Sequence, residues 1–241
     1  SIFSLWMIHF IVLTIFFDMI IWILKRKHTW WSEISLLAII LSSITVGYGY
    51  SNMQHINQTT YTISSSKLSN DYKILMIADV HYDTVQDPSI LKGMIEKWNK
   101  ENYDLVLFDG DIVEEGTSNQ SMHEVFNLLG KIKSQYGRYY VYGNHDCQFY
   151  SSNRKYSVEE LMDAIESNGI TILDDDHTII NNEIELIGRR DISLSGRKQI
   201  EAYALLQNDH YIIVEDHQPL DYQKNELLGI DLELSGHTHA G

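Results

Sequence analysis

The fold class predicted is α/β, one domain carried behind a pair of membrane-spanning helices, and three observations lead there. Two long apolar runs occupy residues 1–50, strand-like and helix-like patterns alternate from Tyr72 onward, and clusters rich in His and Asp recur where the predicted strands stop. An ordered alternation of strand and helix on one chain is the signature of an α/β architecture with a largely parallel sheet.

The chain has 241 residues, 44% of them hydrophobic, and a formal net charge of -15. That suffices for one substantial globular domain beside the apolar segment. The acidic balance argues against nucleic acid as a partner, because binding phosphates by counterion release needs a basic face. The single cysteine, Cys147, excludes an internal disulfide framework and a Cys-rich zinc site. A small buried thiol is the plain interpretation of it, with a redox-sensitive role as the alternative. The sequence starts within an apolar run and stops within a His-rich motif, so a fragment whose catalytic domain is incomplete at the C-terminus is expected.

From Ile2 to Leu24 only Ser4, His9, Thr14 and Asp18 interrupt an apolar stretch long enough to cross a bilayer as a helix. A second run, Trp30 to about Tyr50, has aromatic residues at both ends, where interfacial anchors sit. The two predict a hairpin. A signal peptide is the alternative for the first run, but Lys25-Arg26-Lys27 stands where a small-residue cleavage site would lie. By the positive-inside rule that cluster is cytoplasmic, which places the domain after Tyr50 outside the cytoplasm: a multi-pass protein of the cell membrane. His9 and Asp18 could form a polar relay, though helix packing or interfacial placement explains them more simply.

Residues 51–70 are polar, with alternation at Thr59-Thr60-Tyr61-Thr62-Ile63 that suits an edge strand, so this stretch is a tether plus first strand. The domain proper, 71–241, then predicts strand Ile74–Ala78, a helix from Asp87-Pro88 to Lys100, strand Leu105–Phe108, a helix from Ser121 to Ser134 and strand Tyr139–Tyr142. Asp87 before Pro88 is a cap followed by a first-turn proline, and Ser121-x-x-Glu124 and Ser157-x-x-Glu160 are capping boxes. Gly169 ends the helix that begins at the second box. Short strands at 170–173, 177–180, 185–188, 211–214 and 232–234, with a short helix around Gln199–Leu206, complete the chain.

The chemistry lies in five clusters: Asp79-Val80-His81, Gly110-Asp111, Gly143-Asn144-His145-Asp146, His217 and Gly236-His237-Thr238-His239. Singly, each has an ordinary explanation as a strand end, a turn or a loop histidine. The His-x-His pair is the least ordinary of them, and the five in order are hard to obtain by accident. Carboxylates, imidazoles and an amide suit Mn, Fe or Zn better than Ca or Mg, and a carboxylate with two oxygens can bridge two ions. Asp-x-His at a strand end would point both side chains the same way.

In order and content the clusters resemble the calcineurin-like metallophosphoesterase family, over about Tyr72–Gly241. The hairpin and Gly188-Arg189-Arg190-Asp191 look most like its bacterial membrane-anchored branch. The resemblance implies a β-sandwich flanked by helices (αββα) and two divalent or trivalent metal ions, Mn, Fe or Zn. It assigns Asp79, His81, Asp111 and His239 to one ion, and Asp111, Asn144, His217 and His237 to the other, with Asp111 bridging. His145 would contact the phosphate together with Asn144 and protonate the leaving group, with Asp146 orienting its ring. Arg189 and Arg190 could contact a phosphate or head group, although adjacent arginines are more often a solvated face. Asp174-Asp175-Asp176 could bind a cation but is more simply a turn. The expected function is hydrolysis of phosphate mono- or diesters by metal-hydroxide attack, on substrates that could be phospholipid or lipid-linked. The alternatives are a cell-surface nucleotide or general phosphodiesterase and a non-catalytic receptor for a phosphorylated ligand.

Overall fold

The computed structural model describes residues 2–24, 31–203 and 209–239. Lys25-Arg26-Lys27, Trp30 and the later part of the helix expected at 199–206 lie outside the described residues. The chain divides into two compact units, Ser1–Thr59 and Thr60–Gly241.

The first unit is a pair of helices, α1 (Ile2–Ile23) and α2 (Trp31–Met53), each long and apolar enough to cross a membrane. Helix α1 has no fully buried side chain, and a helix apolar all round in such surroundings is suited to lipid. Two of its polar side chains bond back to its own backbone. His9 Nδ1 lies 2.9 Å from the Leu5 carbonyl, and Thr14 Oγ1 donates to that of Phe10. Trp6 Nε1 donates to Ser43 Oγ at 3.0 Å, tying α1 to α2. The bond of His9 to its own helix agrees with packing rather than a relay.

In the second unit the expected strand at 59–63 is absent. Among the described residues no strand pairs with it, and Tyr61 and Ile63 are 83% and 57% exposed. Alternation yields a strand only where a ladder partner accepts it. The structured chain starts with β1 (Ile74–Ile77) and continues through α3 (Pro88–Trp98), β2 (Leu105–Asp109), α4 (Asn119–Leu129), β3 (Arg138–Val141), α5 (Val158–Glu166) and β4 (Thr171–Ile172). These strands form one parallel sheet in the order β1-β2-β3-β4. A second sheet follows in the order β5 (Asp176–Ile180), β6 (Ile184–Gly188), β7 (Tyr211–Glu215) and β8 (Leu232–Leu234), antiparallel only at β5/β6.

Local sequence explains most helix starts. Asp87 accepts from Ser89 N at 2.7 Å ahead of Pro88, and Ser157 and Glu160 form the reciprocal capping box. The box expected at Ser121 does not form. Helix α4 begins earlier, with Ser118 accepting from Ser121 N, while Ser121 Oγ donates to Asp83. It also ends at Leu129, before the expected Ser134, whose hydroxyl donates to the Asp104 carbonyl on the way into β3. Of the helix expected at 199–206, a 3-10 turn at Ile200–Ala202 is present, and α6 (Tyr222–Leu227), short and polar, was not expected.

Leu105, Leu107 and Val141 meet Ile184, Leu186 and Ile213 between the sheets. Phe108, Tyr140 and Phe126 of α4 pack on the outer face of the first sheet, and Leu228 and Ile230 after α6 close on Ile187, Ile212 and Val214 of the second. This is a calcineurin-like αββα layering. β2 and β7 are buried along their whole length, as central parallel strands require.

Candidate metal centre

Parallel strands gather their carboxyl ends on one edge, where α/β proteins place their ligands. The five predicted clusters follow β1, β2, β3, β7 and β8 there. Asp79, His81 and His239 bring ligand atoms within 4.8 Å of one another, and so do Asp111, His217 and His237. Asp111 Oδ2 is 3.2 Å from His217 Nε2 and 3.9 Å from His81 Nε2, so one carboxylate reaches residues of both groups. His239 Nε2 is 3.5 Å from Asp79 Oδ1.

The side chains do not converge by strand alternation, because β1 and β8 end before their clusters. They converge because the backbone is left-handed: φ is +53° at Asp79, +43° at His81, +52° at Asp111, +63° at His237 and +51° at His239. Each such residue costs about 1–3 kcal/mol, and strain of this kind gathers at functional sites. Gly110 (φ +74°) and Gly143 let the loops touch. A Cβ on Gly110 would stand 2.7 Å from His217 Nδ1, and one on Gly143 would collide with the Asp111 carboxylate.

The donor set fits divalent metal ions. His217 Nδ1 donates to the Asp109 carbonyl at 2.7 Å, which leaves Nε2 as the ligand nitrogen. Asn144 is 6% exposed and its Oδ1 has no hydrogen-bond partner among the described residues, as a metal-ligating amide oxygen would. Asn144 lies between Gly143 and His145, whose backbone N–H donates to Asp111 Oδ1 at 2.9 Å. Burial works to raise the Asp111 carboxyl, but the bond to and charge of His217 together with those of His145 outweigh it and hold the group below its ordinary range. Burial likewise depresses His217, yet Asp111 lifts it to about 10. Burial raises Asp79, while at His81 the contacts with Glu114 and Asp111 outweigh burial and raise the imidazole.

Asp146 does not orient His145. It is fully buried and accepts from the backbone N–H of Gly143 (2.6 Å), Asp111 (3.0 Å) and Val113 (3.2 Å), locking together the loops after β2 and β3. Burial and the neighbouring Asp111 push its carboxyl up to about 7. The ring of His145 is held instead by Glu115, whose Oε2 lies 2.7 Å from Nδ1. Glu114 Oε2 stands 3.2 Å from His81 Nδ1, an ion-pair contact outside hydrogen-bond geometry. Sequence reasoning missed both glutamates, although two acids immediately after Gly110-Asp111-Ile112-Val113 were visible to it.

Arg189 and Arg190 are both engaged within the protein rather than forming a free solvated face. Arg189 is 2% exposed and donates to the Lys198 carbonyl, and Arg190 forms a two-bond pair with Asp174. Asp175 accepts from the backbone of Arg190 and Lys198. The acidic run thus anchors arginines and backbone. Cys147 is buried. His177 lies beside Tyr203.

Comparison with known proteins points the same way. The profile of the calcineurin-like phosphoesterase family matches residues 72–241. The chain is 27% identical over 219 residues to an uncharacterized metallophosphoesterase, YkuE, of Bacillus subtilis, covering 85% of this chain and 73% of that protein. It is 28% identical over 181 residues to one of Helicobacter pylori, covering 73% of this chain and 46% of that one. A Danio rerio transmembrane protein with a metallophosphoesterase domain is 27% identical over 228 residues, covering 86% and 50%. The chain thus spans about half the length of those last two relatives. Among solved structures, TT1561 of Thermus thermophilus shares the fold at a TM-score of 0.50 and 13% identity, over 68% of this chain and 80% of that one.

Proposed function

The chain belongs to the calcineurin-like phosphoesterase family and is a metal-dependent phosphoesterase, and from that premise we propose a membrane-anchored two-metal hydrolase of phosphate mono- or diesters. The observation that carries the two-metal reading is Asp111, with Oδ2 between His217 and His81 and each triad gathered around its own point. Asp79, His81, Asp111 and His239 would hold one ion, and Asp111, Asn144, His217 and His237 the other. Two such ions supply Lewis-acid polarisation of phosphoryl oxygens and lower the pKa of water. Their donor set suits Mn, Fe or Zn.

The chain's own groups do the rest. Gly110 and Gly143 keep the loops in contact under the ester. His145 donates Nδ1–H to Glu115 and, in its imidazolium form, would carry a second proton at Nε2 for the departing alcohol oxygen. That bond to Glu115 fixes the orientation of the ring. Arg189 and Arg190 have no part in this reading.

Two apolar helices and a relative named as a transmembrane protein support the membrane anchor. The basic Lys25-Arg26-Lys27 sequence between them supports a cytoplasmic loop and an extracytoplasmic phosphoesterase domain. A domain anchored in this way suits a phospholipid or lipid-linked ester. The experiment is release of phosphate from monoesters and of the alcohol from diesters, lipid and soluble, by Mn-loaded protein, paired with elemental analysis of Asp111→Asn. That variant should lose both ions together and more than about 100-fold in activity, since even outer-shell changes commonly remove 10- to 100-fold. Loss of one ion alone would sink the shared role of Asp111.

A further inference from the structure

The loop after Gly143-Asn144-His145-Asp146 carries a feature that metal binding does not use. Phe149 and Tyr150 stand 44% and 63% exposed, and the Tyr150 ring centroid lies 5.4 Å from that of His145. These rings are held in solvent by a rigid frame. Gln148, fully buried with φ +52°, donates through Nε2 to the carbonyls of Glu114 and Thr117 and accepts from Lys155 N at 2.7 Å. Tyr156, at the far end of the loop, donates to the Asp146 carbonyl at 3.0 Å. The two rings are not equivalent. The Arg154 guanidinium lies 4.4 Å from the centroid of Phe149 and covers that ring, whereas Tyr150 is left open toward solvent beside His145.

We propose that Tyr150 is a specificity-determining residue that packs against the leaving alcohol, and that the alcohol carries a flat apolar portion such as an aryl ring. This rests on the reading of His145 as the group that protonates the leaving oxygen, because whatever lies beside His145 then lies beside the leaving group. An aromatic ring with a free face recognises another flat apolar group by offset or edge contact and offers a small polyol little.

The test uses the full chain at saturating Mn, as wild type, Tyr150→Ala and Tyr150→Phe. Phosphate release is followed from phenyl phosphate and glycerol 2-phosphate, and release of phenol or glycerol from their methyl diesters. Tyr150→Ala should lower kcat/KM for the phenyl esters by about three- to tenfold, mainly through KM, the range expected of one aromatic contact. It should move the glycerol esters by less than about twofold, and Tyr150→Phe should keep both near wild type. An equal fall on both ester types, or none on either, overturns the role of Tyr150 while the phosphoesterase reading stands. A metal-loaded wild type that cleaves none of these esters but hydrolyses a lipid ester overturns the flat apolar alcohol while the phosphoesterase reading stands, and one that hydrolyses neither kind overturns both.

Discussion

Glu115 and Asp146 look interchangeable as partners of His145, being two carboxylates within a few residues of the same loops, but their contacts assign them different work. Glu115→Gln should lower kcat by about 10- to 100-fold with metal content unchanged. The loss should shrink for nitrophenyl esters, whose leaving group departs without a proton. Asp146→Ala removes the acceptor of three backbone N–H groups, each of which costs about 1–3 kcal/mol when buried unpaired. Its signature is therefore a lower denaturation midpoint in urea, with activity lost only as the loops come apart. Equal effects of the two changes on stability would show that the division is wrong. Cys147, two residues past His145, belongs to the same scale. Burial pushes its thiol up to about 12, so little thiolate exists at pH 8 and alkylation by iodoacetamide should be slow in the native protein and fast in urea. Rapid native labelling would restore the redox-sensitive alternative.

At the level of elements, Ser157→Ala should cost about 1 kcal/mol, because the hydroxyl accepts from Glu160 N in a complete capping box. That prediction needs nothing beyond the sequence, and it shows what sequence pattern conveys well: caps, first-turn prolines and long apolar faces act over a few residues. Helix α4 shows the limit. Ser118 and Ser121 both suit a cap, and the contact that removes Ser121 from that role is Asp83, distant in sequence. The strand expected at 59–63 failed for a related reason, since local alternation does not supply a ladder partner. Arg189 and Arg190 depended on Lys198 and Asp174 coming close. The site residues were legible as a group because their order and spacing are informative, but the backbone that unites them was not. Asp-x-His and His-x-His gather through positive φ, a conformation that pattern alone assigns to glycine or asparagine.

At the scale of the whole molecule, the sandwich concentrates carboxyl groups where the strands end. Asp109 and Glu215 are fully buried, without hydrogen-bond partners for their carboxylate oxygens among the described residues, and burial raises both carboxyls well above their ordinary range. Asp79 and Asp111 stand on the same edge, in a chain whose formal charge is -15. A cation bound among them relieves repulsion and joins loops from both sheets, so it binds the folded chain far better than the unfolded one. Linkage then requires the melting temperature to climb with metal concentration. At a free Mn concentration of 100 Kd the gain is about 2.7 kcal/mol for one independent site, and a chelator should reverse it. The same titration on Asp111→Asn should give a much smaller shift, because that change removes the carboxylate that reaches both triads. A wild-type melting temperature indifferent to Mn, Fe and Zn would mean that the strained loops hold their geometry for some purpose other than a resident metal centre.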